Sequence, residues 1–177
     1  MKAETYIILL RGVTPSGKNK VPMAALRAAL ARAGLKDVQT YIQSGNIVVS
    51  STLNQSALEN LIHKVIRKKF GGDIVVLART AQQFARVLKR SPFTDANGAR
   101  LYFSFLATKP DKKLLKELLS TDFTPDQVKY VNNTIYTLYA TKHRDSKFNN
   151  NFFERRLKVK ATTRNLSTML NLAALTS

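Results

Sequence analysis

The chain has 177 residues and carries 29 Lys and Arg against 11 Asp and Glu, which gives a formal net charge of +18 at neutral pH. Hydrophobic residues make up 44% of the chain, enough for a packed core, and this excludes a disordered polycationic tail. The absence of Cys excludes disulfides, thiolate metal sites and cysteine nucleophiles. No segment approaches the ~20 apolar residues of a membrane span, so we expect a soluble cytoplasmic protein with no membrane partner.

The positive charge is spread over the whole chain. Residues 1–90 have 15 Lys and Arg and 4 Asp and Glu, and residues 91–177 have 14 and 7, so the two parts contribute +11 and +7. A positive potential over a folded surface attracts polyanions. The composition therefore makes nucleic acid or another anionic molecule the first partner class to test, and ordinary solubility charge is the alternative.

The first half of the chain alternates strand and helix patterns. Pro22, followed by apolar residues at helical spacing, predicts the start of a helix. Ser44-Gly45 lies between two alternating runs and predicts a hairpin. Ser56 and Glu59 form a capping-box pattern before a second amphipathic helix. The predicted elements are strand 5–10, helix 22–33, hairpin strands 38–43 and 47–49, helix 56–70 and strand 74–78.

The second half nearly repeats this order. Thr80 is predicted to cap a helix, and Asn132-Asn133 is predicted to form a tight hairpin turn because Asn tolerates positive φ. Asp145-Ser146 is predicted to cap a short helix. The other predicted elements are a turn at 96–98, strand 101–106, a leucine-lined helix ending near 119, hairpin strands 128–131 and 135–139, and a last helix over 164–175.

This order predicts an α+β fold of tandem ferredoxin-like β-α-β-β-α units with antiparallel sheets. We expect residues 1–79 to form one half as βαββαβ. Residues 80–177 are expected to form the second half with additional C-terminal helices, and the two halves are expected to pack as one compact unit. Because residue identity between the halves is weak, the predicted duplication rests on element order alone.

The first candidate site is the loop between the first strand and the first helix. Glycines let backbone N–H groups approach an anion, and the following helix N-terminus has a positive dipole end. The spacing resembles a phosphate-binding loop, but Asn19 stands where Ser or Thr would coordinate magnesium. The alternative is a solvated connection in which the glycines serve turn geometry. The candidate ligand-binding residues are Arg11, Gly12, Gly17, Lys18, Asn19 and Lys20.

The second candidate site is the tip of the predicted hairpin, where amide and hydroxyl groups are concentrated. Such groups can bind a ligand through directional hydrogen bonds, or they can satisfy the backbone of the tip itself. The candidate residues are Tyr41, Gln43, Ser44, Gly45 and Asn46.

The third candidate site is the start of the last predicted helix. Thr162 or Thr163 is expected to cap this helix, which leaves Arg164, Asn165 and Thr168 as candidate binding residues in its exposed first turn. An arginine at a helix N-terminus opposes the helix dipole, and this favours an anionic partner for Arg164.

Together with other short motifs of the chain, the three polar segments resemble the bacterial domain-of-unknown-function family 1697. The resemblance covers essentially the whole chain. The resemblance implies ferredoxin-like halves, carries no established activity, and draws attention to the three polar segments jointly. Two departures stand out: Thr14-Pro15-Ser16 replaces a usual Asn-Val-Gly, and Leu166 replaces a usual Trp. The residues that carry the resemblance are those of segments 5–12, 17–23, 40–46, 91–93 and 161–165, with Thr168.

No catalytic constellation is recognisable in the sequence. His63 and His143 are isolated in sequence, so we expect surface positions for both, no metal site and no cofactor. We therefore expect a protein that binds a phosphate-bearing ligand, with nucleic acid first and a phosphorylated small molecule second. A small enzyme acting on a nucleotide or phosphorylated metabolite is one alternative. A purely structural role for the polar segments is the other.

Overall fold

A computed structural model of the chain describes residues 2–14, 16–93 and 100–176. The first half folds in the order β-α-β-β-α-β, and a third helix follows. The predicted turn at 96–98 lies outside the described residues. The elements are β1 (Glu4–Leu10), α1 (Met23–Arg32), β2 (Lys36–Tyr41), β3 (Asn46–Ser51), α2 (Gln55–Phe70), β4 (Val76–Thr80) and α3 (Ala81–Lys89).

The second half repeats the order β-α-β-β-α-β. Its last strand occupies a segment for which the sequence predicted the start of a helix, and a final helix follows it directly. The elements are β5 (Leu101–Leu106), α4 (Lys112–Leu119), β6 (Gln127–Val131), β7 (Thr134–Leu138), a short 3-10 turn (His143–Asp145), α5 (Asn150–Leu157), β8 (Ala161–Asn165) and α6 (Leu166–Ala174).

The two halves build sheets of the same topology. One sheet has the order β2-β3-β1-β4 and the other has the order β6-β7-β5-β8. Every pairing within these sheets is antiparallel. Asn132 and Asn133 both have positive φ, at 47° and 65°, as the predicted hairpin turn requires. The predicted α+β fold of tandem ferredoxin-like units is confirmed.

Equivalent residues occupy equivalent positions in the two sheets. Ile7 of β1 lies opposite Arg79 of β4, and Phe103 of β5 lies opposite Arg164 of β8. In both strands the guanidinium Nη1 donates to the carbonyl of the preceding residue, at 2.6 Å from Arg79 and 2.9 Å from Arg164. This correspondence supports the duplication with a side-chain detail that element order does not contain.

The residue after each of these arginines caps the next helix. Thr80 Oγ1 accepts a hydrogen bond from Gln83 N at 3.1 Å, which confirms the predicted cap. Asn165 Oδ1 accepts one from Thr168 N at 2.9 Å. In each half, therefore, the fourth strand passes into a helix without a connecting loop.

Helices cover one face of each sheet. Apolar residues of the sheet strands pack there against apolar residues of the helices, in one cluster for each half. In the first half the cluster includes Tyr6, Ile8, Leu10, Leu26, Leu30, Ile47, Val49, Leu58, Ile62 and Ile66. In the second half it includes Leu106, Leu118, Phe123, Ile135, Phe148, Phe153, Leu157 and Ala161.

The opposite faces of the central strands are also buried. Ile7 and Leu9 of β1 and Phe103 and Phe105 of β5 are all 0% exposed. β1 and β5 are therefore buried on both faces, which explains their nearly continuous apolar sequences.

The contacts divide the chain into two compact units. One unit contains residues 1–86 and 172–177, and the other contains residues 87–171. The divisions fall within α3 and α6. None of the helices in the described ranges has the length and apolar character needed to cross a membrane.

Two of the predicted helix caps are wrong. Asn54 caps α2 by accepting from Ala57 N at 2.9 Å, so Ser56 is not the cap. Glu59 instead accepts from Ala78 N of the edge strand β4 at 2.7 Å. Asn149, and not Asp145-Ser146, caps α5. In both helices an Asn makes the expected cap bond a few residues away from the predicted position.

Candidate functional site

Backbone hydrogen bonds hold the loop between β1 and α1 in a defined path. Arg11 N donates to Val75 O at 3.0 Å, Thr14 N donates to Asn19 O at 3.2 Å, and Lys20 N donates to Gly17 O at 3.2 Å. Gly12 and Gly17 have positive φ of 74° and 78°. Lys18 and Lys20 are exposed, and Arg11 is half-buried. The described residues of the loop therefore present cations on a hydrogen-bonded backbone.

The hairpin tip satisfies part of its own backbone. Asn46 is 0% exposed, and its Nδ2 donates to Tyr41 O and to Ser44 Oγ, both at 3.0 Å. Asn46 therefore has the structural role that the sequence left open as an alternative. Gln43 and Ser44 remain exposed at the tip.

The hairpin tip and the loop meet. Leu10 N donates to Gly45 O at 2.8 Å, and Gln43 Nε2 donates to Val21 O at 2.9 Å. A Cβ added at Gly45 would lie 2.7 Å from Leu10 Cβ and 3.0 Å from Val13 Cγ2, so only glycine fits. The structure thus brings together the first two predicted segments.

The chain segment that contains the loop and α1 carries charge of one sign. Residues 5–35 contain five Lys and Arg and no Asp or Glu. Arg27 of α1 is exposed and donates to Thr40 Oγ1, just before the tip. We call the group formed by Arg11, Lys18, Lys20, Arg27, Gln43 and Ser44 the basic loop surface. Arg27 was not among the residues predicted from the sequence, although its position on the polar side of an amphipathic helix was a usable signal.

Ile42 is the unusual residue of the tip. It is 52% exposed and has a φ of +50°. A β-branched residue rarely adopts this left-handed conformation, which costs on the order of 1–3 kcal/mol. The tip therefore holds an apolar side chain in solvent beside Gln43 and Ser44 at a cost in conformational energy.

The third predicted segment has a different structure from the one expected. Arg164 belongs to β8 and is 8% exposed, so it does not lie in an exposed helical turn. Its Nη1 donates to Thr162 Oγ1 at 2.8 Å and to Thr163 O at 2.9 Å. Burial lowers the pKa of Arg164 to about 10. These contacts favour a structural role for Arg164 within the second unit.

The expected cap of the last helix is also corrected. Asn165 caps α6, and neither Thr162 nor Thr163 does so. Thr168 is 8% exposed. The polar side chains of this segment are typical of a helix cap and a first helical turn. In the structure, Arg164 Nη1 instead donates to Thr162 Oγ1 within β8.

The two histidines lie in different surroundings. His63 Nε2 is 2.8 Å from Asp73 Oδ1 in an exposed pair, and this hydrogen bond lowers the pKa of Asp73. His143 is half-buried and stacks on Tyr102, so the expected surface position holds for His63 more fully than for His143. Among the described residues, no three His, Cys, Asp or Glu side chains cluster as a metal site would require.

Gly45→Ala tests the junction of the tip and the loop, with Gly17→Ala as the matched control. Both glycines have positive φ, but no atom lies within 4 Å of a Cβ added at Gly17. We expect the control to lose about 1–2 kcal/mol of unfolding free energy, and Gly45→Ala to lose about 1–3 kcal/mol more because of the overlap. Urea denaturation measures both. Equal losses would contradict the close packing at Gly45.

Arg164→Ala tests the structural role of the buried arginine. We expect a loss of about 2–4 kcal/mol in unfolding free energy, because Thr162 loses a donor and a cavity forms. Arg144→Ala is the control, since the Arg144 side chain is 77% exposed, and it should change stability by less than about 0.5 kcal/mol. A similar small change for Arg164→Ala, measured by the same urea titration, would show that its bonds do not stabilise the fold.

The chain was also compared with known proteins. A family model described as "Protein of unknown function (DUF1697)" matches residues 3–136. The fold is similar to that of the conserved bacterial protein SP0830 from Streptococcus pneumoniae, with a TM-score of 0.81, 22% sequence identity and coverage of 98% of each chain. No curated protein matches the sequence. The chain belongs to the DUF1697 family of proteins of unknown function.

Proposed function

We propose that the protein binds nucleic acid through the basic loop surface. One observation carries the proposal: a loop with three cations is joined to a polar hairpin tip by hydrogen bonds at both of its ends, and Arg27 of α1 donates to Thr40 just before that tip. Each phosphate neutralised by Lys or Arg releases condensed counterions, which is the main source of affinity for nucleic acid. Exposed Lys18, Lys20 and Arg27 are suited to this role.

The tip supplies groups of a second kind. Gln43 and Ser44 are exposed and carry uncharged hydrogen-bonding groups, which can contact a sugar or a base edge as well as a phosphate. Next to them in the chain, Ile42 offers an exposed apolar side chain. Proteins that bind the minor groove combine Arg, Lys, Asn and Gln with an apolar wedge of this kind. The basic loop surface supplies Arg, Lys and Gln, and the neighbouring Ile42 supplies an apolar side chain.

Lys18→Gln with Lys20→Gln tests the electrostatic part of the proposal. We expect the double variant to bind a fluorescent duplex oligonucleotide more weakly, with the slope of log K against log salt reduced by about 2 units for two lost phosphate contacts. Fluorescence anisotropy at several salt concentrations measures both quantities.

The matched control is Lys112→Gln with Lys116→Gln, which removes the same charge from the exposed side of α4. We expect it to leave the salt slope within about 0.5 units of the parent value, because net charge alone acts only at long range. Equal effects of the two double variants, or no binding by the parent protein, would contradict the proposal.

Ile42→Asn tests the contribution of the exposed tip residue. Asn accepts positive φ more readily than a β-branched residue, so we expect thermal unfolding to show a gain of about 1 kcal/mol in stability. The same variant should bind the duplex more weakly by at least about threefold, because the apolar contact is lost. A gain in stability with unchanged affinity for the duplex would show that Ile42 makes no contact with nucleic acid.

A further inference from the structure

An open cavity of about 530 Å³ lies in the second unit, and none of its lining residues belongs to the basic loop surface. Its lining combines aromatic, cationic and hydroxyl side chains with one carboxylate. The lining residues are Arg100, Tyr102, Thr141, Lys142, His143 and Asp145.

Ring stacking fixes one wall of the cavity. The rings of Tyr102 and His143 are stacked, with centroids 4.5 Å apart and planes at 13°. Tyr139 packs edge-on against both rings, with centroids 5.2 Å from Tyr102 and 5.1 Å from His143. Tyr139 is itself held by a 2.7 Å hydrogen bond from its hydroxyl to Phe148 O. The imidazole is therefore held in place before any ligand arrives.

The environment of His143 assigns its proton. Nε2 is buried and has no hydrogen-bond partner among the described residues, so a proton on Nε2 would have no acceptor. Burial also lowers the pKa of His143, which keeps the ring neutral at pH 7. Because an unpaired N–H is more costly to bury than an unpaired acceptor nitrogen, we assign the proton of the neutral ring to Nδ1. This N–H is the donor that His143 can offer to a molecule in the cavity.

Donors outnumber carboxylates in the lining. Arg100 Nη1 donates to Ala140 O at 2.6 Å, which orients the rest of its guanidinium group. Lys142 adds a second cation, and Thr141 adds a hydroxyl. The carboxylate of Asp145 lies 3.6 Å from Arg144 Nε, so part of its charge is already balanced. The cavity thus favours an anionic ligand that also has hydroxyl groups for Asp145.

We propose that this cavity binds the phosphomonoester of a small polyhydroxylated molecule, such as a sugar phosphate. Arg100, Lys142 and the Nδ1–H of His143 bind the phosphate oxygens, and Asp145 accepts from the sugar hydroxyls. None of these residues belongs to the basic loop surface, so the proposal is independent of nucleic-acid binding.

The test is an NMR titration of the full chain with ribose 5-phosphate. We expect saturable amide shifts at residues 141–145, and Arg100→Gln with Lys142→Gln should weaken binding by about tenfold. The control pair Lys112→Gln with Lys116→Gln should bind ribose 5-phosphate as tightly as the parent protein does. No saturable shift up to about 10 mM, far above ordinary metabolite affinities, would overturn the proposal. Equal weakening by the two pairs would also overturn it.

Two further probes test the two ends of the ligand. Ribose lacks the phosphate group and therefore tests the phosphate contacts. Inorganic phosphate lacks the sugar and therefore tests the hydroxyl contacts. Each should bind at least about tenfold more weakly than ribose 5-phosphate. If either bound as tightly as ribose 5-phosphate, the proposed ligand class would be wrong.

His143→Phe separates binding from folding. Phe preserves an aromatic ring against Tyr102 and removes the unpartnered Nε2, so we expect thermal stability to be unchanged or higher. Affinity for ribose 5-phosphate should fall by about tenfold, because the Nδ1 donor is lost. If stability stayed intact and the affinity for ribose 5-phosphate did not change, His143 would not contact the phosphate, and the proposed set of phosphate contacts would be wrong.

Discussion

The structure depends on β1 and β5, one of the two inner strands of each sheet, which are paired on both sides and buried on both faces. In this arrangement the apolar residues on both faces of each strand contribute to the core, and β4 and β8 lie at sheet edges. Their edge N–H groups need partners within the protein. Glu59 of α2 accepts from Ala78 N, and Glu154 of α5 accepts from Ala161 N at 2.8 Å. The same solution in both halves is further support for duplication.

The site follows from the place where β1 leaves the core. Leu10 is 1% exposed and its backbone N–H already donates to Gly45 O, so the next residue, Arg11, is the first that reaches the surface. At its end the loop again contacts the hairpin tip, because Val21 O accepts a hydrogen bond from Gln43 Nε2. Cations in this loop are therefore held beside polar groups of the tip. Other lysines, such as Lys112 of α4, lie on exposed helix faces.

Local sequence patterns were sufficient for most of the fold and for part of the site. Alternation and turn residues located both hairpins, and the Asn-Asn turn has the predicted geometry. β8 could not be predicted, because its polar residues find partners on other elements of the folded sheet, as Thr163 does with Ser104 of β5, whose hydroxyl oxygen lies 2.7 Å from that of Thr163. Local pattern does not contain such tertiary contacts. For the same reason the cavity beside His143 was missed, since its walls come from β5 and a turn about forty residues later.

The most direct test of nucleic-acid binding is an NMR titration of the full chain with a short DNA duplex at low salt. The account predicts that amide shifts concentrate at residues 11–20 and 41–46, and that they disappear when salt is raised, as phosphate contacts require. Shifts spread evenly over the lysine-rich helices would show that the charge of +18 acts without a defined surface. That result, or no shifts at all, would contradict the assignment of the basic loop surface.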